Sequence, residues 1–168
     1  MLTNEEVAKD LIRQFGEDFY DFEDPFDLLT LSTKREQLIP MLQYLKDHPT
    51  YQISFLTDIC AIHYPDDPKP EREFCVVYHL HSLIHNFRVR LKIFLSEADL
   101  HIPTATTIYA CANWMERETY DFFGVIFDGH PKLIRILNME DMDYFPMRRQ
   151  YPLEDSTRED KIDALFGR

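Results

Sequence analysis

The sequence predicts an α+β domain: a mixed, mainly antiparallel sheet of about four strands flanked by helices and continued by an extended C-terminal arm. Three observations lead there. Two stretches in the first fifty residues open on capping-box patterns and carry apolar residues at helical spacing. Two strand-like runs at 74–84 and 87–95 are separated by only two residues, and a third helical stretch ends on a glycine, after which the sequence loses any period. With 168 residues, 45% hydrophobic and 14% aromatic content, the chain has the material for one core plus an arm, and its 4 glycines exclude a collagen-like polymer.

The elements follow in order. Thr3-Asn4-Glu5-Glu6 reads as a capping box in which the hydroxyl and the returning carboxylate satisfy orphan amides, and Val7, Ala8, Leu11, Ile12, Phe15 and Phe19 share the face behind it. After Pro25, residues 26–31 read as a short strand. Thr33-Lys34-Arg35-Glu36 repeats the capping logic and opens a helix to about residue 46, with Leu38, Leu42 and Leu45 inward. Pro40 lies inside that helix, where it bends the axis or delays the regular start. Residues 52–64 are strand-like, and the prolines of 65–70 make a loop.

The next two runs read as a hairpin turning on His85-Asn86. That register sets Ile84 against Phe87, Ser82 against Val89, Leu80 against Leu91, Tyr78 against Ile93 and Val76 against Leu95 on a buried face. The other face pairs His81 with Arg90 and His79 with Lys92, and with Arg72 and Arg88 it makes residues 72–95 net +3. Beyond Pro103, the spacing of Ile108, Cys111, Ala112, Met115 and Phe122 predicts a helix over 106–123, stopped by Gly124. Asp128-Gly129-His130-Pro131 is a turn, 132–137 is strand-like, and the remainder, with Tyr144, Phe145, Tyr151 and the Arg148-Arg149 pair, is an arm. The domain is therefore 1–137, and 138–168 is a partner-binding arm with an acidic tail.

Charge narrows the function. The net charge is −12, and the first thirty residues alone carry nine acids against Lys9 and Arg13. That excess repels phosphate backbones and anionic lipid, so neither nucleic acid nor direct membrane binding is expected. No segment approaches eighteen consecutive apolar residues and the N-terminus lacks a signal-peptide pattern, which predicts a cytosolic location. Cys60, Cys75 and Cys111 have no zinc or iron–sulfur spacing and read as reduced, buried thiols.

Two constellations invite chemistry. His79 and His81 share a strand face and, with His63, outline a metal site of a stand-alone enzyme; the cations across the hairpin oppose it. Glu116-Arg117-Glu118 suggests a carboxylate pair, but at 100° per residue the two glutamates flank the apolar stripe on opposite sides and diverge. Acid/base pairs must converge on one substrate. The spacing instead predicts rim charges meeting backbone amides or an arginine of a neighbouring segment, and an Arg117–Asp121 pair on the exposed face.

At these residues a family resemblance becomes specific. Asn113-Trp114-Met115-Glu116-Arg117-Glu118, Asp121-Phe122-Phe123-Gly124-Val125, Gly129-His130-Pro131, Arg135-Ile136-Leu137 and Tyr151-Pro152-Leu153 resemble the signature of the C subunit of respiratory NADH:quinone oxidoreductase, complex I. Phe55-Leu56-Thr57-Asp58, Val77-Tyr78-His79-Leu80 and Arg88-Val89-Arg90 extend the likeness, so it runs from about residue 28 to 153. The resemblance implies a non-catalytic structural subunit of the hydrophilic arm, peripheral on the cytoplasmic side of the inner membrane, touching the membrane only through the complex. It implies no cofactor on this chain, with FMN, iron–sulfur clusters and quinone on partner subunits, chiefly the quinone-site and iron–sulfur subunits. Residue by residue, Glu116, Arg117, Glu118, Asp121 and Gly124 would shape a rigid helix end. His130, Pro131, Arg135, Arg148, Arg149, Tyr151 and Pro152 would contact partners, with His130 and the three arginines anchoring the arm to sister subunits. The equivalent subunit of a membrane-bound hydrogenase complex is the alternative within the family. The chain departs from the pattern where Tyr144-Phe145-Pro146 replaces a second Gly-His-Pro, and at His63, Lys132, Ile134 and Gln150. Its short acidic tail suggests the form not fused to the quinone-site subunit.

Overall fold

The computed structural model describes residues 2–16, 19–23 and 25–151. Helix α1 (Asn4–Phe15) starts on the expected capping box: Thr3 Oγ1 accepts from Glu6 N, and the Glu6 carboxylate accepts from Thr3 N. Val7, Ala8 and Leu11 are buried, whereas Ile12 is half exposed. Gly16 ends the helix at φ 61, so Phe19 belongs not to its face but to strand β1 (Phe19–Glu23). A 3-10 turn at Pro25–Asp27 then displaces the expected strand to β2 (Leu29–Thr33), leaving Phe26 fully exposed.

The second capping box does not form. Thr33 is buried as the last residue of β2, and a 3-10 turn (Arg35–Gln37) leads into α2 (Leu38–Asp47) without a side-chain cap. Pro40 accounts for this delay, because in the third helical position its missing N–H is one the first turn leaves unpaired anyway. Leu38, Met41, Leu42 and Leu45 are buried.

Strands β3 (Phe55–His63), β4 (Phe74–Ser82) and β5 (Phe87–Leu95) complete a five-stranded sheet in the order β1-β2-β5-β4-β3, antiparallel except for the β2–β5 pair. The hairpin exists, but its register is Ser82↔Phe87, Leu80↔Val89, Tyr78↔Leu91, Val76↔Ile93, with His81↔Arg88 and His79↔Arg90. Every expected pair is displaced by two residues because the turn takes four residues, 83–86, with Asn86 at φ 49. A slip of two conserves the faces. The buried face therefore stands, with one loss: Ile84 is 69% exposed in the turn.

One face of the sheet meets α1 and α2 in a continuous core that includes Leu11, Leu42, Leu45, Leu56, Val76, Tyr78, Val89 and Leu91. The chain then forms β6 (His101–Pro103), a series of turns over 104–111, α3 (Ala112–Phe123) and β7 (Ile126–Asp128), which pairs in parallel with β6. Helix α3 begins six residues later than its periodicity predicts. Lys46 Nζ takes the Ile108 carbonyl at 2.5 Å, and Glu116 holds the Ala105 amide, so this backbone is committed elsewhere. α3 lies along the free edge of β3. The Thr119 hydroxyl proton is shared between Met115 O within the helix, at 2.9 Å, and Ile59 O of β3, at 3.3 Å, while the Cys111 thiol donates to Leu56 O and Tyr109 Oη to Ile53 O just ahead of the strand. Cys111 is thus exposed at that edge, contrary to a buried thiol, while Cys75 is buried and Cys60 half-buried, all three free.

Candidate functional site

Three of the polar groups expected to matter, Asp121, Arg135 and Arg148, gather at the C-terminal end of α3, where the arm folds back. Asp121 is completely buried and makes no exposed pair with Arg117. Its Oδ1 accepts from Arg135 Nη1 at 2.8 Å and Asn138 Nδ2 at 3.0 Å; Oδ2 accepts from the amides of Ile136, Leu137 and Asn138 at 3.0, 2.7 and 3.0 Å. Three successive amides turned onto one carboxylate form an anion nest, so 132–137 is irregular where a strand was expected. Burial works to raise the Asp121 carboxyl, but the Asn138 and Leu137 amides and Arg135 outweigh it and hold it well below the usual carboxylate range. Arg117 donates to the carbonyls of Ile134 and Arg135, fixing the same bend from the other side.

The arm also completes the helix. An α-helix leaves its last carbonyls without intrahelical donors. Here Asp121 O accepts from Arg135 Nη1, Phe122 O from Met147 N, and Phe123 O from Arg148 Nε at 2.8 Å. Gly124, at φ 80, caps the helix in the left-handed region, and a Cβ there would lie 2.6 Å from Phe145 Cε2 and 2.8 Å from Arg148 Nη2. Phe145 lies beneath both guanidinium groups, 4.9 Å from Arg135 and 4.8 Å from Arg148, with Tyr120 edge-on at 6.1 Å. In the sequence Phe145 stands out as one of the arm's aromatics and as a departure from the family pattern. Its packing against a capping glycine is invisible until the arm is seen to return.

The residues expected to anchor the arm to other subunits are therefore largely engaged within the chain. Arg135 is nearly buried on Asp121 and also donates to the carbonyls of Met142 and Tyr144; Arg148 reaches Glu97 at 3.2 Å. His130 is drawn onto the start of α3: the Lys132 amide donates to Nδ1, so Nε2 carries the proton and donates to Asn113 O. The Arg149 amide donates to Nδ1 of buried His63, while the Arg149 side chain is exposed. Pro131 and Tyr151 are exposed, and Pro152 lies outside the described residues. The boundary at 137 thus cuts through one clamp, and the described arm rests on its own domain. Its other side exposes Leu137, Met139, Tyr144, Met147 and Tyr151.

Glu116 and Glu118 diverge as their spacing requires. Glu118 faces solvent; Glu116 is fully buried, accepting from Thr104 Oγ1 and Ala105 N, both at 2.6 Å. Burial pushes its carboxyl up to about 7 against the pull of those two donors. The histidines of the metal reading are not brought together. His63 pairs with Phe74 at one end of β4 and stacks on its ring, its Nε2 3.5 Å from Glu73 Oε1 and not hydrogen-bonded, while His79 and His81 sit towards the other end. Among the described residues no three His, Cys, Asp or Glu side chains are grouped to hold a metal, and no helix is long and apolar enough to cross a membrane. A cleft of about 320 Å³ lies between Lys34, Arg35, Glu36, Lys69, Glu71, Arg72 and Phe94. Arg35 is bound there to Asp99 at 2.5 Å and Arg72 is stacked 4.1 Å over Phe94.

Comparison with known proteins agrees with this architecture. Residues 31–157 match the family described as respiratory-chain NADH dehydrogenase, 30 kDa subunit. The C subunit of NADH-quinone oxidoreductase from a Nocardioides species is 45% identical over 74% of the chain, which covers 49% of that relative. Its counterpart from Mycobacterium ulcerans is 39% identical over 89% of the chain and 65% of its own length. The chain thus spans about half to two thirds of these curated relatives. A trypsin-resistant fragment of Nqo5 superposes with a TM-score of 0.66 at 32% identity, covering 78% of this chain and 100% of that one. A chain of the archaeal membrane-bound sulfane sulfur reductase shares the fold, with a TM-score of 0.70 at 24% identity.

Proposed function

The chain belongs to the respiratory-chain NADH dehydrogenase 30 kDa subunit family, and from that premise we propose that it is a non-catalytic structural subunit in the hydrophilic arm of a proton-translocating NADH:quinone oxidoreductase. In this role it supports electron transfer from NADH through iron–sulfur clusters to quinone by holding its neighbours in fixed geometry. FMN, the clusters and the quinone belong to partner subunits, and the chain meets the cytoplasmic side of the membrane only through them.

One observation carries the reading. The arm is fastened to α3 by a buried ion pair and helix-capping bonds, yet it turns large apolar side chains outward, Met139 at 68% and Leu137 at 61% exposure. A segment held this rigidly with its apolar side in water is preorganised for a partner, since its ordering entropy is spent before binding. Charged groups capable of chemistry are instead consumed in the clamp, which supports a mechanical role.

The test is co-purification of the tagged full chain from native membranes. Wild type should bring down the other hydrophilic-arm subunits together with NADH:quinone oxidoreductase activity. Leu137→Asp combined with Met139→Asp and Met147→Asp should leave the thermal melt of the isolated chain unchanged and abolish that recovery. Turnover of NADH by the chain alone, or full recovery by the triple variant, would refute it.

A further inference from the structure

Helices α1 and α2 cover one face of the sheet; the other has a distinct composition. The register places Phe55, His81 and Arg88 side by side across β3, β4 and β5, and in the next row Asp58, His79, Arg90 and Thr30 of β2. Their neighbours along each strand, Leu56, Leu80 and Val89, point into the core, so these rows point away from it. At the end of the rows the four-residue turn lifts Leu83 and Ile84, 62% and 69% exposed, beside Phe55 at 44%.

The polar groups are unevenly answered. Arg88 is exposed, and its row contains no carboxylate among the described residues. Arg90 Nε is buried without a hydrogen-bond partner among the described residues, although a buried guanidinium donor ordinarily finds an acceptor. Asp58 stands across His79 from it, and through Thr30 the register continues to Glu23 of β1. His81 is already taken by Asn86. Burial, and then the Arg90 cation, hold His79 below its usual range and therefore neutral.

Neither feature serves the isolated chain. A two-residue turn would have closed this hairpin, whereas the longer one leaves two aliphatic side chains largely in water, where their apolar surface is not buried by this chain. Arginine beside exposed apolar groups is the composition of an interface centre.

We propose that this end of the sheet, with Arg88 and Arg90 flanked by Phe55, Leu83 and Ile84, is the docking surface for an acidic partner segment, whose carboxylates meet the two guanidinium groups while an adjoining apolar side chain covers the turn. It lies on the sheet, apart from the described part of the arm. The inference rests on the chain being a subunit of a larger assembly, and deepens that reading by adding a second contact of stated chemistry.

The test uses the full chain in its native membranes with a photo-crosslinking residue at Ile84. The peptide captured should come from one other subunit and carry several Asp or Glu beside apolar residues. Capture of a neutral or basic peptide, of lipid, of a second copy, of this chain's own residues 152–168, or of nothing overturns the proposal. In the same preparation Arg88→Glu should reduce the captured species by about tenfold, and Arg88→Lys should restore most of it. Arg88 is exposed, so both variants should keep the wild-type melting temperature. An undiminished capture by Arg88→Glu is equally fatal. If wild type co-purifies with NADH:quinone oxidoreductase subunits and these results fail, only the docking surface is wrong; if wild type brings down no such subunits, the assembly reading itself falls.

Discussion

Replacing Asp121 with asparagine should unfasten the arm. The carboxylate is fully buried and receives five donors: the Arg135 guanidinium, the amides of Ile136, Leu137 and Asn138, and the Asn138 side chain. Asparagine keeps the shape but removes the charge and turns an NH2 group towards donors. Breaking a buried ion pair from one side costs about 3 to 5 kcal/mol. Arg135 retains the carbonyls of Asp121, Met142 and Tyr144, which moderates the loss. The full chain would reveal it in urea unfolding, together with hydrogen exchange of peptides spanning 133–148. The midpoint should fall by the equivalent of about 3 kcal/mol, or the arm should open locally so that the amides of 136–138 exchange near the free-chain rate. The pH dependence follows from the sign of the shift. The Asp121 carboxyl is depressed in the folded state, so its contribution is complete above the unfolded value and is lost only as pH falls through the lower folded one. The gap between wild type and variant should therefore be constant from pH 7 to about pH 5 and close only in stronger acid. A loss below about 1 kcal/mol with unchanged amide protection would refute the clamp as an energetic unit.

Two further outcomes test neighbouring parts. Glu116 has its carboxyl raised to about 7, so the folded state binds the proton more tightly and wild-type stability should decline as pH rises from 4.5 to about 7. The decline is of the order of 3 kcal/mol for a shift of that size; Glu116→Gln, which can accept from the Ala105 amide and donate to the Thr104 hydroxyl but carries no titrating group, should flatten it, and urea melts at pH 5 and 8 that stay parallel for the two proteins would contradict the assignment. Gly124→Ala should cost about 1 to 3 kcal/mol, part from positive φ and part from the collision with Phe145. Adding Phe145→Ala should recover the second part, so a thermal-unfolding double-mutant cycle that proves additive would show the two do not touch.

Local chemistry made much of this fold legible. The Thr3 capping box, the glycine stop at Gly124 and the inward leucines of α2 each act over one or two turns, and each forms as its residues predict. The hairpin faces were recoverable while their register was not, because alternation fixes a residue's side of the sheet but leaves slips of two undecided. Readings failed where a distant group took over. Thr33 fits an N-cap but is consumed in β2, and 132–137 alternates weakly but is bent around Asp121. At the candidate site the family residues were identifiable as a set. Their partners were not: nothing local to Glu116 names Thr104, and nothing local to Asp121 distinguishes Arg135 from the nearer Arg117.

The hydroxyl of α3 and the thiol just ahead of it, both laid along β3, bear on how this chain keeps its sheet to itself. A sheet margin with unanswered carbonyls invites a stranger's backbone, and in a crowded cell that means filaments before assembly. Thr119 and Cys111 occupy that margin with side chains that a foreign strand would have to dislodge. Growth of the sheet there must first displace the helix side chains from those carbonyls.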